Sequence, residues 1–256
     1  MADVKSVKED SSVICDRERM KDHYRNLLSR RYTWIYGGFD AKSEESAALF
    51  SSLGVTPSNG GVALDLGAGP GFQSVPLARL GYAVTAVDLS RDLLDEISSH
   101  SGGLHIDTAE SDLVDFLRAT GIRAEIIVCM GDTLPHLESA SRVRDLIALS
   151  AGHLLPGGRL ILTFRDYERP LEGTSRFIPV RSDENVVFTC FTEYFPGYLD
   201  VYDILHERNG SSWTQHVSSY RKLRLPRADV EAWMRSAGLT VSGGIERGMI
   251  TLCGMK

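Results

Sequence analysis

The stretch VALDLGAGPG over residues 62–71 constrains this chain more than any other. An apolar run of one strand's length is broken by Gly67, Gly69 and Gly71. Glycines at that spacing let the backbone turn tightly and approach a ligand closely. A dinucleotide fingerprint would need glycine where Phe72 stands, and a phosphate-binding P-loop would need Gly-Lys-Ser/Thr, so neither pattern is met. What remains is Asp65 two residues before a G-x-G-x-G run, and Asp88 at the end of the next apolar run, about where an acid meets ribose hydroxyls.

The surrounding pattern alternates. Residues 62–66, 83–89, 104–106, 125–130 and 160–164 read as short, buried, Val/Ile/Leu-rich strands, the form of a parallel sheet covered on both faces. Helices are predicted near 72–80, 91–99, 112–119 and 139–154, several closed by Gly81, Gly121 and Gly157. Upstream, Met20, Tyr24, Leu27 and Leu28 fall on one helical face, followed by the aromatic cluster Tyr32, Trp34 and Tyr36. A second helix is expected from an N-cap at Ser43, burying Leu49, Phe50 and Leu53.

After Phe164 the period becomes two. Runs 186–195, 198–208 and 211–223, separated by Pro196-Gly197 and Asn209-Gly210, predict an antiparallel meander. Helical spacing returns at Val230, Trp233 and Met234, and two closing strands are expected at 239–245 and 249–254. The predicted fold class is α/β: a doubly wound, Rossmann-like sheet of seven strands, the last antiparallel, with an antiparallel β insertion after strand five. Residues 1–16 read as a flexible tail, 17–165 and 224–256 as the core with its helical cap, and 166–223 as the insertion, a lid at the carboxyl edge of the sheet. Tyr194, Tyr198, Tyr202 and Trp213 are its expected pocket aromatics.

With 256 residues, 43% hydrophobic, the chain can bury a large core. Its net charge of −6 disfavours a general grip on nucleic acid or anionic lipid. Four scattered cysteines without a CxxC pair suggest neither a zinc site nor a redox dithiol, and fit a reducing compartment. No signal-peptide core or membrane-length apolar run is present, so a cytoplasmic protein is expected, without a metal and without nucleic-acid or membrane partners, open to homo-oligomerisation.

LDLGAGPG followed by AVDLS resembles the first two motifs of class I S-adenosylmethionine-dependent methyltransferases. The resemblance implies S-adenosyl-L-methionine as cofactor, with S-adenosyl-L-homocysteine as product. It places Gly67, Ala68, Gly69 and Gly71 against the methionine part and Asp88, beside Leu89, on the ribose hydroxyls. Asp65 supports the amino group through the loop or through water. Ser111-Asp112-Leu113 is similar to the acid-plus-apolar pair that meets adenine, a role compatible with Asp112 also capping a helix.

Ligands of open α/β sheets lie beyond the carboxyl ends of strands. After the fourth strand, CMGDTLPHL is similar to the C-x-G-N-S/T-x-x-H-L stretch of glycine N-methyltransferase and its small-molecule relatives, with Asp132 where Asn is usual. Met130 and Gly131 join the cofactor set. After the fifth, Arg165-Asp166-Tyr167 resembles that family's Arg-Asn-Tyr, whose arginine holds the acceptor's carboxylate. The segment around Trp34 resembles the aromatic N-terminal stretch that closes over the cofactor.

Asp132, His136, Arg165 and Tyr167 are therefore the expected catalytic set. Asp132 would orient an amine, His136 would serve as base for a hydroxyl, and Arg165 would hold a carboxylate or pair with Asp166 or Asp132. The expected function is methyl transfer to a small polar metabolite at nitrogen. An O-methyltransferase and a non-catalytic cofactor-binding regulator are the alternatives.

Overall fold

The structure is a computed structural model describing His23, Leu28 and residues 31–256. The expected tail, and Met20, Tyr24 and Leu27 of the first helix, lie outside these residues. A short helix α1 (Tyr32–Ile35) stops where Gly37 and Gly38, both at positive φ, return their N–H groups to Trp34 and Thr33. The second helix, α2 (Phe39–Ser52), begins earlier than the Ser43 cap predicts. Gly38 is its N-cap, and Ser43 is buried inside it with Phe39, Ser46 and Phe50.

The core then alternates as expected through β1 (Val62–Leu66), α3 (Ser74–Arg79), β2 (Ala83–Asp88), α4 (Arg91–His100), β3 (Ile106–Glu110), α5 (Leu113–Ala119), β4 (Ala124–Cys129), α6 (Ala140–His153) and β5 (Leu154–Arg165). Ser90, Asp112 and Ser139 cap α4, α5 and α6 with their side-chain oxygens. The third strand starts where the predicted one ends, because Gly102 and Gly103 turn the chain just before it and leave Leu104 exposed. Gly81 closes α3 as expected. Gly157 instead lies inside β5, which runs longer than its apolar segment, and Gly121 has no positive φ.

After β5 come β6 (Phe177–Ser182), β7 (Val186–Phe195), β8 (Tyr198–Asn209) and β9 (Ser212–Leu223), then α7 (Arg227–Ser236), β10 (Thr240–Glu246) and β11 (Met249–Met255). The main sheet has seven strands in the order β10-β11-β5-β4-β1-β2-β3, with β11 antiparallel to β5. Strand order reverses at β1, between β4 and β2, which opens a crevice at their carboxyl ends. Leu64, Leu66, Ile127, Leu146, Leu162 and Phe164 form the centre of the largest apolar cluster.

The insertion forms a separate antiparallel sheet, β6-β7-β8-β9. The edge strand β6 was not expected. The second hairpin turns at Gly210-Ser211, one residue later than predicted, since Asn209 pairs with Ser212. Strict alternation buries Leu199, Val201, Asp203 and Leu205 on one face. Tyr198 and Tyr202 therefore point to the other face, and Trp213 is 48% exposed. Of the four aromatics expected at a pocket, Tyr194 alone packs on the inner side, against Leu199, Val201 and Tyr220.

Candidate functional site

A cleft of about 200 Å³ opens at the crevice, lined by Gly67 from the loop after β1, Asp88 and Leu89 after β2, Glu110, Asp112 and Leu113 after β3, and Thr133, His136, Leu137 and Glu138 after β4. Tyr32 covers it from the N-terminal side. Its ring stacks on Phe72 at 6.1 Å, and a Cβ on Gly69 would sit 3.6 Å from it.

The glycine loop is tightly fitted. At Gly67, φ is +80° and a Cβ would lie 2.3 Å from Thr133 Cγ2; at Gly71 it would meet Ile97 at 3.0 Å. Gly69 donates its N–H to Asp88 Oδ2 at 2.9 Å, and Ser90 donates to Oδ1 at 2.9 Å. Burial pushes the Asp88 carboxyl up against the pull of these donors. Beneath the loop, Asp65 is fully buried. Its Oδ2 accepts from Ser74 Oγ at 2.6 Å, while Oδ1 has no hydrogen-bond partner. Desolvation carries its carboxyl to about 7. A buried acceptor without a donor, under a loop with no room for side chains, suits a ligand carrying an ammonium group.

The other expected residues separate. Ala68 is buried with Ala86, Leu94 and Ile97, and Met130 with Phe50, Val128 and Ile161. Gly131 donates to Thr163 Oγ1 at 2.9 Å, which seats the loop after β4 on β5. Trp34 does not line the cleft but packs with Leu28, Val186, Phe188 and Leu205; Tyr32 is the ring of that segment that lines it.

Asp132 does not offer itself to an acceptor amine. Held at φ 73°, it accepts from the Arg165 N–H at Oδ1 (2.8 Å) and from Tyr167 Oη (2.6 Å) and Lys222 Nζ (2.5 Å) at Oδ2. Burial would raise its carboxyl, but Lys222 and the hydrogen bonds outweigh it and hold the group below its ordinary range. Burial likewise works against the Lys222 charge, and Asp132 overcomes it. Tyr167 is raised by burial and stays a neutral donor. Asp132 and Tyr167 are thus parts of a clamp joining the ends of β4 and β5 to β9. The Arg165 side chain is exposed and forms no ion pair with Asp166 or Asp132.

His136, from a 3₁₀ turn (Leu134–His136), lines the cleft and stacks on Tyr220 of β9 at 5.2 Å. Burial, with the Lys222 charge next, lowers its imidazole to about 3. It is therefore neutral at physiological pH and a weak proton acceptor, which counts against the expected role as base. His23 also packs on Tyr220, at 4.6 Å; it is fully buried, with Nε2 3.0 Å from Asp203 Oδ2. Cys190 donates to Asp203 Oδ1 at 2.9 Å. Lys222, Tyr220, His23 and Asp203 carried no sequence signal beyond strand alternation, whereas Tyr32 and Glu138 lie in or beside segments already marked by pattern.

Among the described residues, no group of three or more His, Cys, Asp or Glu gathers as a metal site, and no helix is long and apolar enough to cross a membrane. Sheet order, switch point and glycine cradle are those of a class I S-adenosylmethionine-dependent methyltransferase fold. Residues 63–158 match the family described as "Methyltransferase domain". The chain is 34% identical over 110 residues to a ubiquinone biosynthesis O-methyltransferase of Xylella fastidiosa, covering 42% of this chain and 43% of that protein. It is 26% identical over 162 residues to a glycine/sarcosine N-methyltransferase of Parasynechococcus marenigrum, covering 61% of this chain and 57% of that one. The chain thus spans less than half the length of the first curated relatives it matches. Among solved structures, S-adenosylmethionine-bound CalS10, an amino pentose methyltransferase from Micromonospora echinaspora, superposes with a TM-score of 0.67 at 15% identity, covering 99% of both chains.

Proposed function

We propose that this protein transfers a methyl group from S-adenosylmethionine to the nitrogen of a small polar acceptor, in a chamber roofed by the β insertion. The observation that carries this reading is the shared wall at His136: one residue both lines the donor cleft and stacks on Tyr220, whose ring also meets His23, paired with Asp203, and Lys222. Glycine cradle, buried Asp65 acceptor and paired Asp88 oxygens suit the amino-acid and ribose portions of the donor.

When bound, the donor supplies an electrophilic methyl group on a sulfonium. The residues of the chamber govern the other partner, which must arrive uncharged with a free lone pair. Asp203, with His23 held on it at 3.0 Å, supplies the negative charge beside Tyr220 that attracts an amine. Neutral His136 and the Tyr220 ring position the amine and exclude water, and much of the acceleration comes from that placement and desolvation. Arg165 stands outside the clamp to meet an acceptor carboxylate. The overall likeness to an amino pentose methyltransferase and the partial likeness to a glycine/sarcosine N-methyltransferase support nitrogen. The match to a ubiquinone O-methyltransferase favours a hydroxyl acceptor as the second reading.

The test is turnover of a panel of glycine, sarcosine, an amino sugar and 3,4-dihydroxybenzoate, followed by S-adenosylhomocysteine release and the mass of the methylated product. Methylated amine is the expected result. Methylation of the dihydroxybenzoate alone overturns the nitrogen reading, and tight donor binding without transfer to any acceptor favours a non-catalytic binder.

A further inference from the structure

The donor cleft has two ends. With a ribose diol on Asp88, the base of a nucleoside extends toward the ends of β3 and α5, where Glu110, Asp112 and Glu138 line the wall. Carboxylates accept hydrogen bonds, so this end suits a base edge that donates them. Crowded carboxylates also repel, and their orientation needs a cause.

That cause lies on α6. Arg142, in its first turn, sends Nη2 to Asp112 Oδ1 at 2.6 Å and to Asp115 Oδ1 at 3.3 Å, while Nε, buried and making no hydrogen bond, lies 3.5 Å from Glu138 Oε2 as an ion-pair contact. This is not a solvated surface pair: the side chains of Arg142, Asp112 and Glu138 are 20%, 16% and 12% exposed. Asp112 Oδ1 also receives the Val114 and Asp115 N–H groups at 2.9 and 3.0 Å. Ser139 Oγ accepts the Arg142 backbone N–H at 3.2 Å and fixes where the guanidinium starts. The planar fork reaches several carboxylates at once, which a single ammonium cannot do.

We infer that Arg142 is a specificity-determining positioning residue: it bridges Asp112 and Glu138 so that their carboxylates accept from the exocyclic amine of adenine and reject a 6-oxo purine. The inference rests on the donor assignment above. Arg142 does not touch the base; it acts through the two acids.

The test is calorimetric titration of the full chain with S-adenosylhomocysteine and with S-inosylhomocysteine, whose base carries a carbonyl in place of the amine. The wild type should prefer the adenosyl compound. Arg142→Met should weaken the adenosyl compound about tenfold, as expected for a lost charge-assisted contact, and the inosyl compound less than about twofold, so that the preference itself shrinks. Arg142→Lys, which keeps the charge, should give an intermediate preference and serves if the methionine variant fails to fold. Asp112→Asn, which adds a donor at the same place, should raise relative affinity for the inosyl compound. An unchanged preference in the Arg142 variants, whether both affinities fall together or neither falls, overturns the inference. No binding of S-adenosylhomocysteine by the wild type overturns the donor assignment instead.

Discussion

Replacing Lys222 by methionine should be among the most damaging single changes outside the apolar core. The side chains of Lys222 and Asp132 are 10% and 5% exposed, so water does little to screen the charge left behind. Tyr167 Oη and the Arg165 N–H would still bond Asp132, but nothing would neutralise it. Breaking a buried pair from one side costs roughly 3–5 kcal/mol. For a chain of this length that corresponds to a fall in Tm of roughly 6–20 °C. The pH dependence has a definite sign. In the wild type the Asp132 carboxyl is lowered on folding, so its stabilisation is present above the ordinary carboxylate range and is lost as pH falls through the folded value. In Lys222→Met the Lys222 charge no longer opposes burial, which only the Arg165 and Tyr167 hydrogen bonds then resist, so the folded value rises; the penalty is present at neutral pH and disappears on protonation. The melting curves of variant and wild type should therefore converge as pH falls from about 7.5 toward 4.5. Adding Asp132→Asn to the variant should recover most of the loss at neutral pH, because an amide needs no counter-ion. Thermal and urea melts followed by circular dichroism measure all of this. A loss below about 1 kcal/mol, or no recovery in the double variant, would show the pair to be a hydrated surface contact and refute the reasoning.

Asp88→Ala should cost roughly 2–3 kcal/mol of affinity for S-adenosylhomocysteine with the fold intact, since an ionised acceptor of two hydroxyls is lost; unchanged calorimetric affinity would remove Asp88 from the ribose site. Asp65, raised to about 7 by burial, is mostly protonated below neutrality, so affinity for the ammonium-bearing ligand should climb between about pH 6 and 8 and flatten in Asp65→Asn. Its folded value lies above its unfolded one, so the ligand-free protein should lose stability as pH rises from the ordinary carboxylate range through 7, opposite to the gain in affinity. A pH-independent affinity in the unsubstituted protein would sink this reading.

The donor half was legible because local chemistry dictates it. Glycines that no side chain can replace and the apolar runs flanking them lie within a few dozen residues, and Ser90, Asp112 and Ser139 cap helices where such residues should. The start of α2 was misplaced because Ser43 has the chemistry of a cap but lies on the buried face, while Gly38 reaches its capping position through a φ of +103°. The edge strand β6 was invisible because Pro179 interrupts it and every residue in it is exposed, so no alternation marks it. Lys222 and Asp132 are 90 positions apart, and nothing local to a lysine between Arg221 and Leu223 says that it will neutralise an aspartate in the loop after β4. His23 and Asp203, 180 positions apart, present the same difficulty. Trp34 went astray because the resemblance marked an aromatic segment without saying which of its rings faces the cleft, and its ring is covered by the Arg181 guanidinium on the insertion side.

The clamp at Asp132 is a seam between two parts of the chain that can change at different rates. The family match stops at residue 158, whereas Tyr220, Lys222, Asp203 and His23, which bound the proposed acceptor side, all lie outside it. On the proposed function, donor recognition is thereby insulated from acceptor choice: substitutions on the inner face of β8 and β9 reshape one chamber while the glycine loop and Asp88 remain as they are. Under that proposal such a seam lets one donor domain serve successive acceptors over evolutionary time, provided that the buried Lys222–Asp132 pair fastening the two halves is kept.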